Sequence, residues 1–525
     1  MQLTEAADVQ STEAATTVGV IDIGSNSMRM EVAQVHSDGE TEVLEQVRQP
    51  VRLGHDTFVT GRLSQPTIRA ILGVLRDYRK VLDGYQVDRV RAVATSAVRE
   101  ASNRDAFIDR VERAVGMDVE VIEPTEQSRL IVLAVRNAVM GLQGSRHQPT
   151  IIAEVGGGAT LLTILRRGEI VASQSHNVGS VRMRELLSAD GLAPEKAAEL
   201  LRRQIANVIK LAGKTLKLKS VKAFIAIGGD ARFAAEQVGR MDRKSLIQAV
   251  DRKDLNSFIE SVVTLGPVEI ARAYQLPFSD AETLVPALLV YQALLDATAA
   301  RTMLVSKVSM RDGLLLDLPR YIAGREDPEL SESIKASART IATRYDCDED
   351  HAEHVAAIAV QLFDSLQDEH GLSQRHRLLL EVACILHEVG KFVATRAHHK
   401  HSYYLIDNAE ILGLSRSEIE MVALVARYHR RSIPKTSHLE YTALPRDQRM
   451  VVDKLAAILR VADAVDKGHW QQLREFHVEQ DRQEMVLYVK GAGDLALERM
   501  ALRLKSDLFE DVYGLKVRIE EAVED

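Results

Sequence analysis

The hydrophobic pattern in the N-terminal part of the chain alternates between a strand period and a helix period. Residues 18–23 are apolar except for Asp22 and predict a buried strand, and two more strands reach to about residue 48. A helix over 64–82 and a strand over 87–94 follow. The next predicted elements are a helix over 104–115, a strand over 119–122, a loop over 123–127 and a helix over 128–138. The alternation predicts an α/β layered domain, in which ligands bind beyond the strand ends.

The same order of features begins again after a glycine- and serine-containing link at residues 141–148. An apolar strand over 150–154 ends in Glu154, a glycine turn occupies residues 156–160, and a hairpin covers 161–173. An acid at a strand end, a small turn and a hairpin are therefore repeated in the two halves of this region.

A third glycine turn follows the strand predicted at residues 224–227. Gly228 and Gly229 open a helix there, and a helix N-terminus is a good site for an anion. Together, the repeats predict two lobes, residues 17–140 and 141–322. If their turns face each other, the lobes could hold a phosphate from both sides.

The remainder of the chain has a different pattern. Residues 1–16 carry three acids and no base, and we expect a disordered tail. After a polar, proline-containing link at 323–328, residues 330–466 are nearly all helical in pattern, and residues 467–525 predict a small α+β cap with a hairpin and a closing strand.

Composition narrows the class of protein. The 525 residues are 46% hydrophobic and 27% charged, which is typical of globular domains, and the formal net charge of −8 argues against a general nucleic-acid binder. Cys347 and Cys384 are the only cysteines, so a disulfide framework is excluded and a reducing compartment is favoured. No apolar run approaches the roughly 20 residues of a membrane span. We expect a cytoplasmic protein with neither a membrane nor a nucleic acid as partner.

The turn after the first strand is the first candidate site. Gly24 lets the backbone approach a ligand, and the amides and hydroxyls of Ser25, Asn26 and Ser27 are suited to phosphate oxygens. Asp22 is placed to hold a metal ion or a water. The alternative is an ordinary strand followed by an Asx or Ser turn, which needs no ligand.

Motifs spread along the chain resemble those of one known family. They are DIGSNS at 22–27, VRLG at 51–54, ATSAVREASN at 94–103, EVGGGAT at 154–160, VGSVRM at 178–183 and MRDGLL at 310–315. In this order they resemble the exopolyphosphatase and guanosine pentaphosphatase (Ppx/GppA) phosphohydrolases. The resemblance implies a two-lobed, actin-like (ribonuclease H-like) fold of the ATPase superfamily.

The resemblance also implies a chemistry. It implies that the protein hydrolyses a phosphoric anhydride, with inorganic polyphosphate or guanosine pentaphosphate as substrate and Mg²⁺ or Mn²⁺ as cofactor. It also implies a homodimer. Arg99 would bind phosphate with its planar fork of donors. The candidate phosphate ligands are Gly24, Ser25, Asn26, Ser27, Arg99, Gly156, Gly157, Gly158, Thr160, Gly228 and Gly229.

Several residues depart from the family's pattern. Glu154 replaces an aspartate, Ala159 and Leu161 replace a serine and a glutamate, and Gln127 stands where the family has its catalytic glutamate. A glutamine does not accept a proton from water.

Two hypotheses about the chemistry of the site follow. In a working hydrolase, Glu126 or Glu154 orients the water, with Asp22 and Glu154 as metal ligands; in a weakened sensor, the phosphate is bound without turnover.

The histidines of the helical region are ordered like those of the HD phosphohydrolases. His plus carboxylate on facing helices is what a divalent metal site requires. The candidate ligands are His351, His387, Glu388, His429 and Asp463, with Glu388 in place of the HD aspartate. The HD-like resemblance adds a third hypothesis, a metal-dependent nucleotide phosphohydrolase; alternatively, these histidines are structural.

A group of basic residues in the same region is a further candidate for anion binding. A long polyanion could lie along it and be fed to the first site. Its members are Arg396, His398, His399, Lys400, His401, Arg427, Arg430, Arg431 and Lys435. The alternative is a solvated helix face.

Overall fold

The computed structural model describes residues 16–36, 41–139, 148–187, 192–241, 247–323, 328–430, 432–491 and 494–522. The predicted tail lies almost entirely outside these residues, as do most of the links predicted at 141–148 and 323–328. Two compact units divide the chain between Arg325 and Glu326. Within the described residues, no helix is long and apolar enough to cross a bilayer.

The first lobe is a five-stranded sheet in the order β3-β2-β1-β4-β5 with helices packed on it. Strand β1 pairs antiparallel with β2 and parallel with β4. The strands are β1 Thr16–Ile23, β2 Ser27–Val35, β3 Thr41–Pro50, β4 Arg89–Ala94 and β5 Val119–Val121. The helices are α1 Leu53–Thr60, α2 Gln65–Gly84, α3 Ser96–Arg99, α4 Arg104–Val115 and α5 Pro124–Val139.

The second lobe repeats this topology. Its sheet has the order β10-β11-β12-β9-β6-β7-β8, in which β8-β7-β6-β9-β12 corresponds to β3-β2-β1-β4-β5 of the first lobe. The strands are β6 Thr150–Val155, β7 Thr160–Arg166, β8 Glu169–His176, β9 Ala223–Ile227, β10 Arg240–Met241, β11 Ile247–Asp251 and β12 Thr302–Ser306. The helices are α6 Ser180–Glu185, α7 Pro194–Thr215, α8 Gly229–Val238, α9 Arg252–Val262, α10 Pro267–Tyr274, α11 Phe278–Ala297 and α12 Met310–Ala323.

Each lobe has its own apolar core, in which the alternating side chains of the central strand are buried. The two-lobed α/β architecture predicted from the repeated strand, turn and hairpin is thus found. One element begins earlier than predicted: α5 starts at Pro124, so residues 124–127 form its first turn. Proline suits the first turn of a helix, because its fixed φ is helical and it lacks an N–H that would have no partner there.

The second unit is helical, followed by a three-stranded sheet of order β13-β14-β15. Its helices are α13 Pro328–Arg344, α14 Glu349–Ser365, α15 Gln367–His370, α16 Gln374–Leu386, α17 His398–Asp407, α18 Arg416–Arg427, α19 Leu439–Thr442, α20 Arg446–Val465, α21 Ala496–Lys505 and α22 Asp507–Tyr513. Its strands are β13 Phe476–Gln480, β14 Glu484–Val489 and β15 Lys516–Glu521. One hydrophobic core runs through the helices and the sheet, so the predicted cap shares the core of the helical part.

Candidate functional site

A cavity of about 590 Å³ lies between the two lobes of the first unit, at the carboxyl ends of β1 and β6. Most of the residues predicted for the site line it. They are Asp22, Gly24, Ser25, Asn26, Ser27, Arg99, Gln127, Glu154, Gly156, Gly157, Gly228 and Gly229. The repeated strand ends therefore meet across one cleft.

The two glycine turns have the same local structure. The Gly24 N–H donates to the Ser27 carbonyl at 3.2 Å, and the Gly156 N–H donates to the Ala159 carbonyl at 2.9 Å. The turns approach each other so closely that a Cβ on Gly157 would lie 2.8 Å from the Ser25 Cβ. A glycine is required at that position because no side chain fits.

The third turn is held by Tyr291 of α11. Its hydroxyl accepts a hydrogen bond from the Val155 N–H at 3.1 Å and donates to the Ile227 carbonyl at 2.5 Å, which ties the ends of β6 and β9 together. Gly228 has a φ of 131°, a conformation that L side chains rarely adopt. This turn starts α8 at the cavity, so the helix N-terminus faces the space between the lobes.

Asp22 lies at the end of β1 among positive charges. It is paired across the sheet with Arg29, and its Oδ2 lies 3.7 Å from the Arg311 Nη1. The Arg311 Nε donates to Glu31 at 2.6 Å, which fixes the guanidinium beside the aspartate. Burial raises the pKa of Asp22, while the charges of Arg311 and Arg29 lower it.

Glu154 and Gln127 form the opposite wall of the cavity. The Gln127 Nε2 donates to the Glu154 Oε2 at 2.8 Å. Burial raises the pKa of Glu154 to about 7; the charge of Asp22 acts in the same direction, and the hydrogen bond from Gln127 opposes it. A carboxyl with such a pKa exchanges a proton readily near neutral pH.

Sequence reasoning missed three arginines of the cavity. Arg29, Arg232 and Arg311 all line the cavity. The Arg232 Nη1 is buried and has no hydrogen-bond partner among the described residues. A buried guanidinium N–H without a partner is costly, so its position favours an anionic ligand. Each of the three lies in or next to a motif that was recognisable in the sequence, but the motifs alone did not show that they converge.

Comparison with known proteins identifies the family. The model of the Ppx/GppA phosphatase family matches residues 32–321, and the model of Ppx/GppA phosphatase domain III matches residues 335–508. The chain belongs to the Ppx/GppA phosphatase family. A guanosine-5'-triphosphate,3'-diphosphate pyrophosphatase of Aeromonas hydrophila is 24% identical over 84% of this chain and 86% of its own length.

A solved exopolyphosphatase structure shares the fold, and a second solved structure is similar in sequence. An exopolyphosphatase from Cytophaga hutchinsonii is 23% identical, covers 59% of this chain and 99% of its own, and superposes with a TM-score of 0.53. The Aquifex aeolicus family member is 24% identical, covers 60% of this chain and 100% of its own, and has a TM-score of 0.48.

The structure places three of the predicted Ppx/GppA site residues away from the cavity. Glu126, predicted as a possible base, forms ion pairs through its carboxylate with Arg129 at 2.7 Å and with Arg91 at 3.3 Å. Thr160 is fully buried and donates to the Val178 carbonyl at 2.9 Å, and Gly158 packs under Phe58. Glu126 lies outside the cavity because α5 begins at Pro124, and the helical spacing directs residues 126 and 127 to different sides.

Arg99 lines the cavity, but part of its guanidinium is already hydrogen-bonded to the protein. Its Nη1 donates to the Ile122 carbonyl at 2.7 Å, and burial lowers the pKa of its guanidinium. The remaining N–H groups are the ones that can reach a phosphate.

In the helical unit, the structure brings three of the five predicted metal ligands together. Potential ligand atoms of His351, His387 and Asp463 lie within 4.8 Å of one another, and all three side chains are buried. The His429 ring packs edge-on against His387, with their centroids 5.0 Å apart. Glu388 forms an ion pair with Lys391.

The predicted basic group does not form one exposed face. His398 is buried against His429, and Arg427 pairs with Glu440 at 3.2 Å. Arg431 lies outside the described residues, and the polyanion track over the other members stays a prediction.

Proposed function

We propose that this protein is a phosphoric-anhydride hydrolase that releases the terminal phosphate of inorganic polyphosphate or of guanosine pentaphosphate. The observation that carries the proposal is the Glu154 carboxyl group in the wall of the cavity, which accepts a hydrogen bond from Gln127 and lies within reach of the charges of Arg29 and Arg232. The names of the Aeromonas pyrophosphatase and the Cytophaga exopolyphosphatase support the same substrate class.

The cavity residues have separate roles in the proposed reaction. The glycine turns present backbone N–H groups to phosphate oxygens, and Arg29, Arg232 and Arg311 neutralise their charge. Glu154 accepts a proton from a water whose oxygen attacks the terminal phosphorus. The bridging P–O bond breaks, and the shortened polyphosphate leaves with the electron pair.

Asp22 is suited to hold Mg²⁺ or Mn²⁺, whereas Glu154, the other metal ligand expected from the sequence, is in this proposal the group that takes the proton from water. Mg²⁺ in phosphoryl-transfer sites is held by one or two carboxylates together with substrate phosphates. The Asp22 charge raises the pKa of Glu154, which places the two carboxylates within electrostatic reach of each other. When bound, the ion would neutralise charge that develops on the transferred phosphoryl group.

Phosphate release tests the proposal. Wild-type protein with Mg²⁺ should release phosphate from polyphosphate or guanosine pentaphosphate, and the preferred substrate is the one with the higher kcat/KM. Asp22→Asn should need more Mg²⁺ for half-maximal rate. Exposed Asp105→Asn serves as the control.

The sensor hypothesis rests on a specific observation, the amide of Gln127 in the cavity wall. It predicts tight binding of polyphosphate without release, and a gain of activity in Gln127→Glu. The HD-type hypothesis predicts that His387→Gln abolishes phosphate release while Asp22→Asn leaves it intact. Either result would overturn the proposed function.

A further inference from the structure

Two helices of the first unit are joined beside the cavity by buried charged groups. Asp317 on α12 and Arg129 on α5 form an ion pair in which the side chains are 4% and 9% exposed. Arg91 on β4 joins the pair, and its Nη1 donates to the Asp317 Oδ2 at 2.9 Å. These three residues lie outside the set that lines the cavity, so an effect on the reaction must pass through other residues.

The Arg129 guanidinium is held along two of its edges. Its Nη1 and Nη2 donate to the Asp317 carboxylate at 3.0 Å and 2.7 Å, and its Nε and Nη2 donate to the Glu126 carboxylate, each at 2.7 Å. Two bidentate contacts on one planar group fix both its position and its orientation. Through this guanidinium, Asp317 is connected to Glu126 in the first turn of α5.

The two helices also touch at the backbone. A Cβ on Gly313 would lie 2.1 Å from the Leu130 carbonyl oxygen, so α12 and α5 cross with no side chain between them at this point. Gly313 and Asp317 are four residues apart on α12, and Glu126 and Leu130 are four residues apart on α5. Residues with this spacing lie on one face of a helix, so the crossing and the ion pair hold the same two faces together.

The next residue of α5 carries this placement into the cavity. Gln127 follows Glu126 directly, and its Nε2 donates to the Glu154 Oε2 at 2.8 Å. In the proposed reaction Glu154 takes the proton from water, so a displacement of Gln127 would change the direction of that carboxyl group. A displacement of about 1 Å caused by a distant substitution can lower the rate of an enzyme by about 10²-fold.

Stability alone does not account for a group of buried charges at this position. Removing ionic groups from water is costly, and a buried ion pair often contributes no more stability than apolar side chains of similar volume. Charged hydrogen bonds differ from an apolar contact in that they require particular distances and directions. The group therefore fixes the geometry of α5 at a point one residue from Gln127.

We propose that Asp317 is a positioning residue for phosphate release: it fixes the start of α5 and so holds the Gln127 amide against Glu154. The proposal rests on the function proposed above, because Glu154 is the group that is positioned. Arg311, on the same helix as Asp317, is held separately by Glu31 at 2.6 Å. Loss of the Asp317 charge should therefore lower kcat and leave KM nearly unchanged.

Steady-state kinetics of Asp317→Asn in the full-length protein tests the role. We expect kcat for the preferred substrate to fall by about 10- to 100-fold, with KM within about 2-fold of the wild type. Gln127→Leu should cause a similar fall, because it removes the amide that Asp317 positions. In the Gln127→Leu background, Asp317→Asn should lower kcat by less than about 3-fold, since both changes break one chain of contacts.

Thr298→Val is the matched control for a loss of stability in the same unit. The buried Thr298 hydroxyl donates to the Leu295 carbonyl at 2.8 Å at the end of α11, away from the residues that line the cavity. This substitution should lower the melting temperature and leave kcat unchanged. All rates are compared at a temperature at which circular dichroism shows each variant to be folded.

A double variant covers the case in which Asp317→Asn does not fold. Arg129→Met/Asp317→Leu removes both charges of the pair and leaves no uncompensated charge between the helices, and it must show the same fall in kcat. A wild-type kcat in either folded variant, or a further fall of about 10-fold or more in the Gln127→Leu background, overturns the positioning role and leaves the proposed function standing. No phosphate release by the wild type overturns both.

Discussion

At the scale of single residues, the chemistry of the cleft depends on what stands beside Glu154. The Gln127 amide donates to the Glu154 carboxylate at 2.8 Å and carries no charge of its own. A glutamate at position 127 would place a like charge next to Glu154 and would raise the pKa of the pair. With the neutral Gln127 amide beside it, the Glu154 carboxyl group can lose its proton near neutral pH.

The raised pKa of Glu154 predicts a cost in stability. The folded protein binds this proton with a pKa of about 7 and the unfolded chain with one near 4.5, so the free energy of unfolding falls as pH rises between these values. Glu154→Gln should therefore stabilise the lobes at about pH 8, by on the order of 2 kcal/mol, and by much less at about pH 5.

Amide hydrogen exchange in β6, measured in the presence of a chelator at about pH 8 and at about pH 5, reports this difference in the free energy of unfolding. Glu260→Gln, which changes an exposed glutamate, should leave the pH dependence as it is in the wild type. An equal effect of Glu154→Gln at both pH values would show that burial does not raise the pKa.

The buried Nη1 of Arg232, which has no hydrogen-bond partner among the described residues, predicts a loss of affinity for substrate when Arg232 is changed. Arg232→Gln removes a charged donor that has no protein partner at its Nη1, so KM should rise by about 10- to 100-fold, since hydrogen bonds to charged groups contribute about 1.5–3 kcal/mol. Steady-state kinetics against polyphosphate measures this. Arg202→Gln, at an exposed arginine paired with Glu260, should leave KM unchanged; a wild-type KM in Arg232→Gln would contradict the assignment.

At the scale of elements, the glycine turns hold the lobes in contact. A Cβ on Gly158 would lie 2.4 Å from the Phe58 ring and 2.5 Å from the Ser96 hydroxyl, both of the first lobe. Ser96 is itself bonded to the Ser25 hydroxyl at 3.1 Å, so it cannot move freely.

Gly158→Ala should therefore destabilise the protein by about 1–3 kcal/mol and reduce phosphate release. Gly73→Ala is the matched control, because Gly73 lies inside α2 with nothing within 4 Å of an added Cβ. That substitution should stabilise by about 0.5–1 kcal/mol. Thermal melting measures both, and a stable, fully active Gly158→Ala would show that the contact is not tight.

The elements themselves were largely predictable from sequence. Apolar runs ending in Asp22 and Glu154, each followed by a glycine turn, are local signals, and the strands and turns form where the pattern predicts them. The start of α5 was not found, because Glu126 and Gln127 lie between a proline and the apolar helix pattern. An error of one turn there reverses which side chain reaches the cavity.

At the scale of the molecule, the site is assembled from segments that sequence alone does not bring together. Arg29, Arg232 and Arg311 come from β2, α8 and α12, and only the folded lobes place them around one cavity. His351, His387 and Asp463 are a similar case: the order of these residues predicts that they belong together, but only the fold brings their potential ligand atoms within 4.8 Å of one another.

The separate cores of the two units predict that they fold independently. The exopolyphosphatase structure from Cytophaga hutchinsonii matches 59% of this chain over 99% of its own length, so a fold like that of the matched part occurs in a shorter chain. Residues 326–525 expressed alone should unfold cooperatively, and residues 1–325 should keep phosphate release. Circular dichroism and the phosphate-release assay check this, and a C-terminal fragment without cooperative unfolding would contradict it.

The proposed hydrolysis depends most on Glu154 as the group that takes the proton from water. The direct measurement is the rate of phosphate release at saturating polyphosphate and Mg²⁺ by wild type and Glu154→Gln, together with polyphosphate binding by both. We predict a kcat lower by about 10²- to 10⁴-fold with binding retained. Release by Glu154→Gln at the wild-type rate, or binding without any release by the wild type, would contradict the proposed function.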